Sequence, residues 1–228
     1  KNPENYTVLE RLAIVGHSGM GKLAYEPYID IAQEHSMDDL DELAEQCQKI
    51  LNTEYSDKLD ELYSLGGTSG GARPKIMTKY RGEEWIIKFP AHVDGKNIGR
   101  MEYEYSVCAR KCGITMSRTK LFPSERCDGY FGIKRFDREE HQGKVKRIHT
   151  ATVAALLELD FEQPSLDYHS LMKLTRLLTA DDPIEREQMF RRMCFNVFAH
   201  NRDDHSKNFS YLFNEENDCW RLSPAYDL

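Results

Sequence analysis

The sequence predicts an α+β fold in two lobes: a strand-rich N-lobe over residues 1–134 and a mostly helical C-lobe over residues 135–228. Short runs of β-branched and aromatic residues crowd the first half, and helical periodicity dominates the second. Between them, near Arg135 to Arg138, strand character gives way to charge. The chain has 228 residues, 40% hydrophobic and 30% charged, enough for one large domain or two small ones with a real core.

The first notable segment is "VGHSGMGKL" (Val15–Leu23), where Gly16, Gly21 and Lys22 fit the phosphate-loop pattern G-x-x-x-x-G-K. Leu23 stands where that loop needs a hydroxyl for Mg²⁺, and Pro27 follows where it needs a helix, so a turn and a strand are expected instead. A helix is expected from Met37 to Leu51, with Leu40, Leu43, Ala44, Cys47, Ile50 and Leu51 at helical spacing and Ser36 as a cap. "SLGGTSGGARPKIMTKY" reads as a glycine-rich turn and a strand, and "EEWIIKFP" as a second strand stopped by Pro90. A helix from Gly99 to Cys112 aligns Met101, Tyr105, Cys108, Ala109 and Cys112, and Gly113 ends it. "YFGIKRF" is another strand.

In the second half, His149–Leu159 and Ser170–Leu178 are expected helices. Asp182-Pro183 opens a stronger one, with Asp at the cap and Pro in the first turn. Its apolar face is expected to be Phe190, Met193, Cys194, Val197 and Phe198. "FSYLF" and "CWRL" are two short strands across an Asn/Asp-rich turn.

A formal charge of −7 argues against nucleic-acid binding by bulk charge. The six cysteines form no C-x-x-C pair; Cys108 and Cys112, on one helical face, read as small apolar side chains. Reduced thiols and a cytoplasmic home are expected, and no apolar run is long enough to span a bilayer. Opening on Lys1 and stopping after "SPAYDL", the chain reads as a fragment.

The chemistry concentrates in "HNRDDHSKN", where Asp203 and Asn208 reproduce the D-x-x-x-x-N spacing of a protein-kinase catalytic loop. An aspartate there takes the proton of an attacking hydroxyl, and an asparagine carbonyl on the same short loop holds Mg²⁺. Lys207 between them supplies a cation for a transferring phosphoryl group, and Asp227 in "SPAYDL" supplies a second hard ligand. His200 and His205 fit no standard zinc pair. Upstream, Lys88 sits mid-strand as an ammonium for phosphates; Glu102 or Glu104, on different helical faces, is its candidate partner. Gly66, Gly67, Gly70 and Gly71 leave backbone amides open to phosphate, with Arg73 and Lys75 adding charge. Taken singly, each feature also fits a surface turn or a solvated side chain. Their order along the chain points to a two-lobed kinase.

Together "GGARPK", "WIIKFP", "KRFDR", "HNRDDHSKNFS" and "SPAYDL" resemble the HipA-like serine/threonine kinases, toxins of bacterial toxin–antitoxin pairs. The resemblance implies a protein-kinase-like fold that uses ATP and Mg²⁺. It implies Asp203 as catalytic base, Asn208 and Asp227 as metal ligands, His205 and Lys207 at the phosphates, and Lys88 as the ATP-binding lysine. It places Gly70, Gly71, Ala72, Arg73 and Lys75 in the ATP loop. "KRFD" matches the hinge, beginning at Lys134, with Arg135 and Phe136 offering backbone groups to adenine and Asp137 reaching the ribose. It also implies inhibitory autophosphorylation at Thr68 or Ser69, since a phosphate there would occupy the place of the ATP phosphates. The implied partners are a translation-related protein substrate, such as an aminoacyl-tRNA synthetase, and a helix-turn-helix antitoxin through which the chain meets DNA only indirectly. No membrane partner is implied. Against the family pattern, the chain lacks the helices after the metal aspartate and much of the N-terminal region. A small-molecule phosphotransferase and a non-catalytic binding module are the competing readings.

Overall fold

The computed structural model describes residues 6–29, 40–51, 62, 65, 73–141, 144–160 and 166–228. The chain divides into two compact units, Lys1–Tyr103 with Arg118–Arg135, and Glu104–Ser117 with Phe136–Leu228. The last crossing between units thus falls at residue 135, and residues 104–117, expected with the N-lobe, group with the second unit.

In the first unit, helix α1 (Val8–Val15) opens on a reciprocal capping box: the Thr7 side chain accepts from the Glu10 amide, and the Glu10 carboxylate accepts from the Thr7 amide. Gly16, at φ +47°, ends it. The turn expected after Val15 is present; the strand is not. Residues 16–29 run as turns and bends, with the Tyr25 N–H donating to the Gly16 carbonyl and the Ile29 N–H to that of Ala13 in α1.

Helix α2 (Leu40–Leu51) lies within the expected Met37–Leu51 span; Ser36 and residues 37–39 lie outside the described residues. Strands β1 (Lys75–Tyr80), β2 (Glu83–Lys88), β3 (Thr119–Phe122) and β4 (Tyr130–Lys134) form an antiparallel sheet in the order β1-β2-β4-β3. On one face Ile76, Trp85, Ile87, Phe89, Phe122 and Tyr130 pack against Leu40, Leu43, Ala44 and Cys47 of α2. Fully burying one such leucine stabilises by about 1.5–3 kcal/mol. Asp41 fastens the same helix to the sheet, accepting from the hydroxyls of Tyr130 (2.6 Å) and Ser124 (2.7 Å) and the amide of Glu125 (3.0 Å).

Helix α3 (Ile98–Lys111) ends at Gly113, φ +76°. Its expected apolar face is largely wrong: Met101, Tyr105, Cys108 and Cys112 are exposed, and the buried residues are Gly99, Ser106 and Ala109. Close approach selects small side chains here. A Cβ on Gly99 would lie 2.2 Å from the Gly129 carbonyl oxygen, so only glycine lets the first turn of α3 meet the backbone leading into β4.

In the second unit, β5 (Arg138–His141) and β6 (Lys144–Arg147) form a charged hairpin, and β7 (Thr150–Thr152), β8 (Ser210–Asn214) and β9 (Cys219–Leu222) form a sheet in that order. The helix expected over His149–Leu159 shrinks to one turn, α4 (Val153–Leu156). Thr150 and Thr152 pair instead with Leu212 and Ser210, and the Thr152 hydroxyl caps α4 through the Ala155 amide. Helix α5 (Tyr168–Leu178) is capped by Asp167, and α6 (Pro183–Phe198) by Asp182, with Pro183 in its first turn as expected. Val153, Leu171, Met189, Phe209, Tyr211 and Leu222 form the core between these helices and the sheet.

The face of α6 also departs from expectation. Met189, Arg192, Phe195 and Asn196 are buried, whereas Phe190, Val197 and Phe198 are 52%, 61% and 83% exposed. With Cys108, Cys112 and Cys194, all three of these phenylalanines line an open groove of about 620 Å³ that contains none of the candidate site residues.

Candidate active site

Strand β2 positions Lys88 by alternation. Trp85, Ile87 and Phe89 enter the core, so Lys88 projects to the other face, opposite Lys75 in the β1–β2 register. Two like charges directly across a ladder are unfavourable unless anions answer them. One anion is Glu102, whose carboxylate lies 2.5 Å from the Lys88 ammonium, with both side chains less than one-fifth exposed. Glu102 sits one turn after Gly99, so the glycine contact sets the depth of the glutamate. Of the two candidate partners, the structure pairs Lys88 with Glu102.

Arg73 is held in a two-point bond to Asp94, at 2.8 and 3.1 Å, and Asp94 also accepts from the Ala91 amide. The Arg73 hydrogen bonds are the main reason the Asp94 carboxyl sits below its ordinary range. Gly66, Gly67, Gly70, Gly71, Ala72, Thr68 and Ser69 lie outside the described residues.

In the expected hinge, the amides of Lys134 and Arg135 are already used, donating to the carbonyls of Arg118 and Glu84. The Lys134 ammonium pairs with Glu83 at 2.8 Å. The Arg135 guanidinium is buried and donates to the carbonyls of Ser18 and Gly19 and to Met77 Sδ. Arg135 thus anchors the glycine-containing turn after α1, and of the backbone groups expected to meet adenine its amide is already bonded to the Glu84 carbonyl. Phe136 stacks on Tyr226 with ring centroids 5.6 Å apart. Asp137 is fully buried and its carboxylate bonds Arg138 at 2.8 Å, so the ribose contact expected of it does not fit this placement.

The expected catalytic loop begins where α6 stops. His200 adopts φ +55°, its amide donates to the Val197 carbonyl, and the Asn201 amide donates to the Asn196 carbonyl. This is a Schellman end with a histidine in the left-handed position that usually takes glycine. It turns the chain back so that Asn201 meets the buried Asn196 side chain, Nδ2 to Oδ1 at 3.2 Å. Asn201 then makes two further bonds: its Oδ1 accepts from the Asp203 amide at 3.0 Å, and its Nδ2 donates to the Asp227 carbonyl at 3.3 Å.

Asp203 itself has a side chain 89% exposed, with His205 Nε2 3.7 Å from its Oδ1. Asn208, buried in the short 3-10 turn Ser206–Asn208, donates from Nδ2 to the Asp203 carbonyl at 2.6 Å. That bond leaves the amide oxygen as the end of Asn208 suited to a hard cation. A second tie joins loop and Asp227 segment: the Tyr226 hydroxyl is 2.8 Å from the Lys207 carbonyl and 3.0 Å from Ser210 Oγ. Behind it, the fully buried Arg192 donates to the Ser223 carbonyl, and burial lowers its pKa to about 10. Asp227 sits at φ +51°, sparsely populated for a non-glycine residue and a common mark of functional positions.

The second unit therefore brings Asp203, Asn208 and Asp227 into one bonded network. Among the described residues, no three His, Cys, Asp or Glu side chains form a closed metal cage. Mg²⁺ fits what is present, because it binds through one or two protein oxygens and completes its shell with phosphates and water. Asn201, Asn196, Tyr226 and Arg192 escaped the sequence reading. Only Asn201 left a signal there, two positions before Asp203, where Asn readily accepts a bond from the second amide onward.

A strand lysine paired to a glutamate on the following helix, and an Asp-x-x-x-x-Asn loop leaving a helix end, define a kinase-like fold. Residues 67–228 match the family described as HipA-like C-terminal domain, and the chain belongs to that family. Over 164 residues it is 25% identical to Y4dM of Sinorhizobium fredii, which carries a provisional kinase name, covering 67% of this chain and 39% of that protein. In fold it is similar to HipA of Shewanella oneidensis, solved with HipB and operator DNA (TM-score 0.64, 19% identity, 92% of this chain and 54% of that one). It is also similar to the Helicobacter pylori proinflammatory kinase CtkA (TM-score 0.52, 18% identity, 70% of this chain and 54% of that one). The chain thus spans about half the length of these solved proteins and less of Y4dM.

Proposed function

We propose that the protein is a serine/threonine protein kinase that transfers the γ-phosphoryl group of ATP with Mg²⁺. The observation that carries this reading is the catalytic loop, which fixes Asp203 and Asp227 by their backbones and leaves the Asp203 carboxylate open to an incoming group. In the reaction a substrate hydroxyl oxygen bonds to the γ-phosphorus while the bond to the ADP oxygen breaks, and the Asp203 carboxylate receives the hydroxyl proton. Bound Mg²⁺ supplies charge neutralisation on the phosphates, held by Asn208 and Asp227. Lys88, fixed by Glu102, holds nucleotide phosphates, and Lys207 and His205 act near the transferring group.

Asp203→Asn tests the assignment: transfer from radiolabelled ATP should fall roughly 10²–10⁴-fold while binding of a non-hydrolysable ATP analogue stays near wild type. Full activity in that variant refutes the reading. In a lysate, label should enter protein; label confined to small metabolites would identify a small-molecule phosphotransferase instead.

Family membership and likeness to a HipA solved with HipB and operator DNA support a toxin role, with an antitoxin partner bringing the kinase to DNA. The target in this reading is a translation-related protein. Autophosphorylation at Thr68 or Ser69 belongs to the same proposal, and a phosphatase-reversible mass increase mapped to that loop would establish it.

A further inference from the structure

Asn201 is a half-buried, neutral side chain that neither the motif spacing nor the kinase reading assigns a task. Its bonding capacity is used in a particular way. Oδ1 faces the amide of the proton acceptor, and Nδ2 faces the backbone carbonyl of the carboxylate expected to hold metal. A third bond, to Asn196 Oδ1, roots it in the last turn of α6. Asn196 is in turn bonded to the Tyr168 hydroxyl, which donates to Asp204 at 2.5 Å, so the root does not swing freely.

Two backbone segments far apart in sequence, at 203 and 227, are therefore spanned by one side chain. Asp227 needs such support. Its φ of +51° is unfavourable for an aspartate, and strained backbone persists only where its surroundings over-determine it. A carboxamide suits the task because it offers a donor and an acceptor without adding charge beside a cation site.

We propose that Asn201 is the positioning residue that sets the metal carboxylate of Asp227 against the Asp203 segment. The proposal rests on the kinase reading. It is tested on the full chain by Mn²⁺ binding in the presence of a non-hydrolysable ATP analogue, followed by electron paramagnetic resonance. Asn201→Ala should weaken Mn²⁺ about tenfold, the lower end for loss of a group that orients a metal ligand. Asn201→Ser keeps an acceptor for the Asp203 amide but cannot reach Asp227, and should weaken Mn²⁺ to the same degree. Thr179→Ala, which removes a buried hydroxyl bonded to the Thr175 carbonyl, should lower the melting temperature and leave Mn²⁺ affinity alone. Wild-type Mn²⁺ affinity in both Asn201 variants, with affinity lost in Asp227→Ala, overturns the positioning role and leaves the kinase reading standing. Equal weakening in Thr179→Ala also overturns it, as a general effect of lost stability. A wild-type chain that binds no Mn²⁺ with the analogue overturns both.

Discussion

Lys88 in the first unit and the catalytic loop in the second are held by opposite means. Lys88 is gripped at its charge: a glutamate meets the ammonium directly, and a glycine contact sets the depth of that glutamate. Asp203 is gripped by its backbone, through neutral amide groups, and its carboxylate stays largely in solvent. The contrast fits what the proposed reaction would ask of each group. A lysine that receives phosphates keeps its charge whether or not a carboxylate stands beside it, so a counter-ion costs little. A carboxylate that must take a proton or a cation would be disabled by a permanent cationic partner, so its position has to come from elsewhere.

The most disruptive way to break the first arrangement is Lys88→Met. Phosphoryl transfer should fall on the order of 10²-fold or more, as for loss of one electrostatic donor in an active site, and Glu102 is left half-buried without its cation; ATP titrations against initial rate measure it. Gly99→Ala is next. The new Cβ meets main-chain atoms that cannot move aside, so urea denaturation should show about 1–3 kcal/mol lost, with a raised KM for ATP as Glu102 shifts.

Asp41→Asn sharpens the contrast, because Asp41 is a structural carboxylate gripped on its own oxygens. Burial pushes its pKa up, but hydrogen bonds from Tyr130, Ser124 and the Glu125 amide outweigh that and hold it below the ordinary value. A lowered folded-state pKa stabilises above the unfolded value, about 4, and that stabilisation disappears as pH falls through the folded value. Near pH 7 the variant should be less stable by about 1–2 kcal/mol, and the two stability curves should converge as pH falls below the unfolded value. The smallest change expected is a gain. His200 is exposed and left-handed, so His200→Gly should relieve strain, offset by the freedom glycine has when unfolded, for a net gain of about 0.5 kcal/mol in chemical denaturation.

Strand and helix positions were largely legible in the sequence where alternation or capping is strong, as in "EEWIIKFP" and at Asp182-Pro183. Burial was less so. On α6 the apolar stripe at Phe190, Val197 and Phe198 is exposed while Arg192 and Asn196 are buried, because those polar groups satisfy backbone carbonyls and loop side chains that no local pattern reveals. On α3 the buried positions are the small ones, and closeness of approach is a tertiary property. Helix α1 was missed although Thr7-x-x-Glu10 is a capping-box signature, and β7 was taken for helix although Thr150 and Thr152 favour strand. At the site, Asp203 and Asn208 stood out by spacing and Asp227 by its order after them, whereas Glu102 was one of two candidates between which only the Lys88 contact decides. The brackets around them did not, since a side chain that bonds two backbones distant in sequence leaves no periodic trace.

Because Asn201 reaches both aspartates only when the last carbonyls of α6 are engaged by residues 200 and 201, loop order is subordinate to helix length. Unwinding that terminal turn would break both Asn201 bonds at once, leaving Asp203 to its Asn208 bond and the Asp227 segment to the Tyr226 tie, so the way one helix ends sets how tightly the two acidic segments are drawn together.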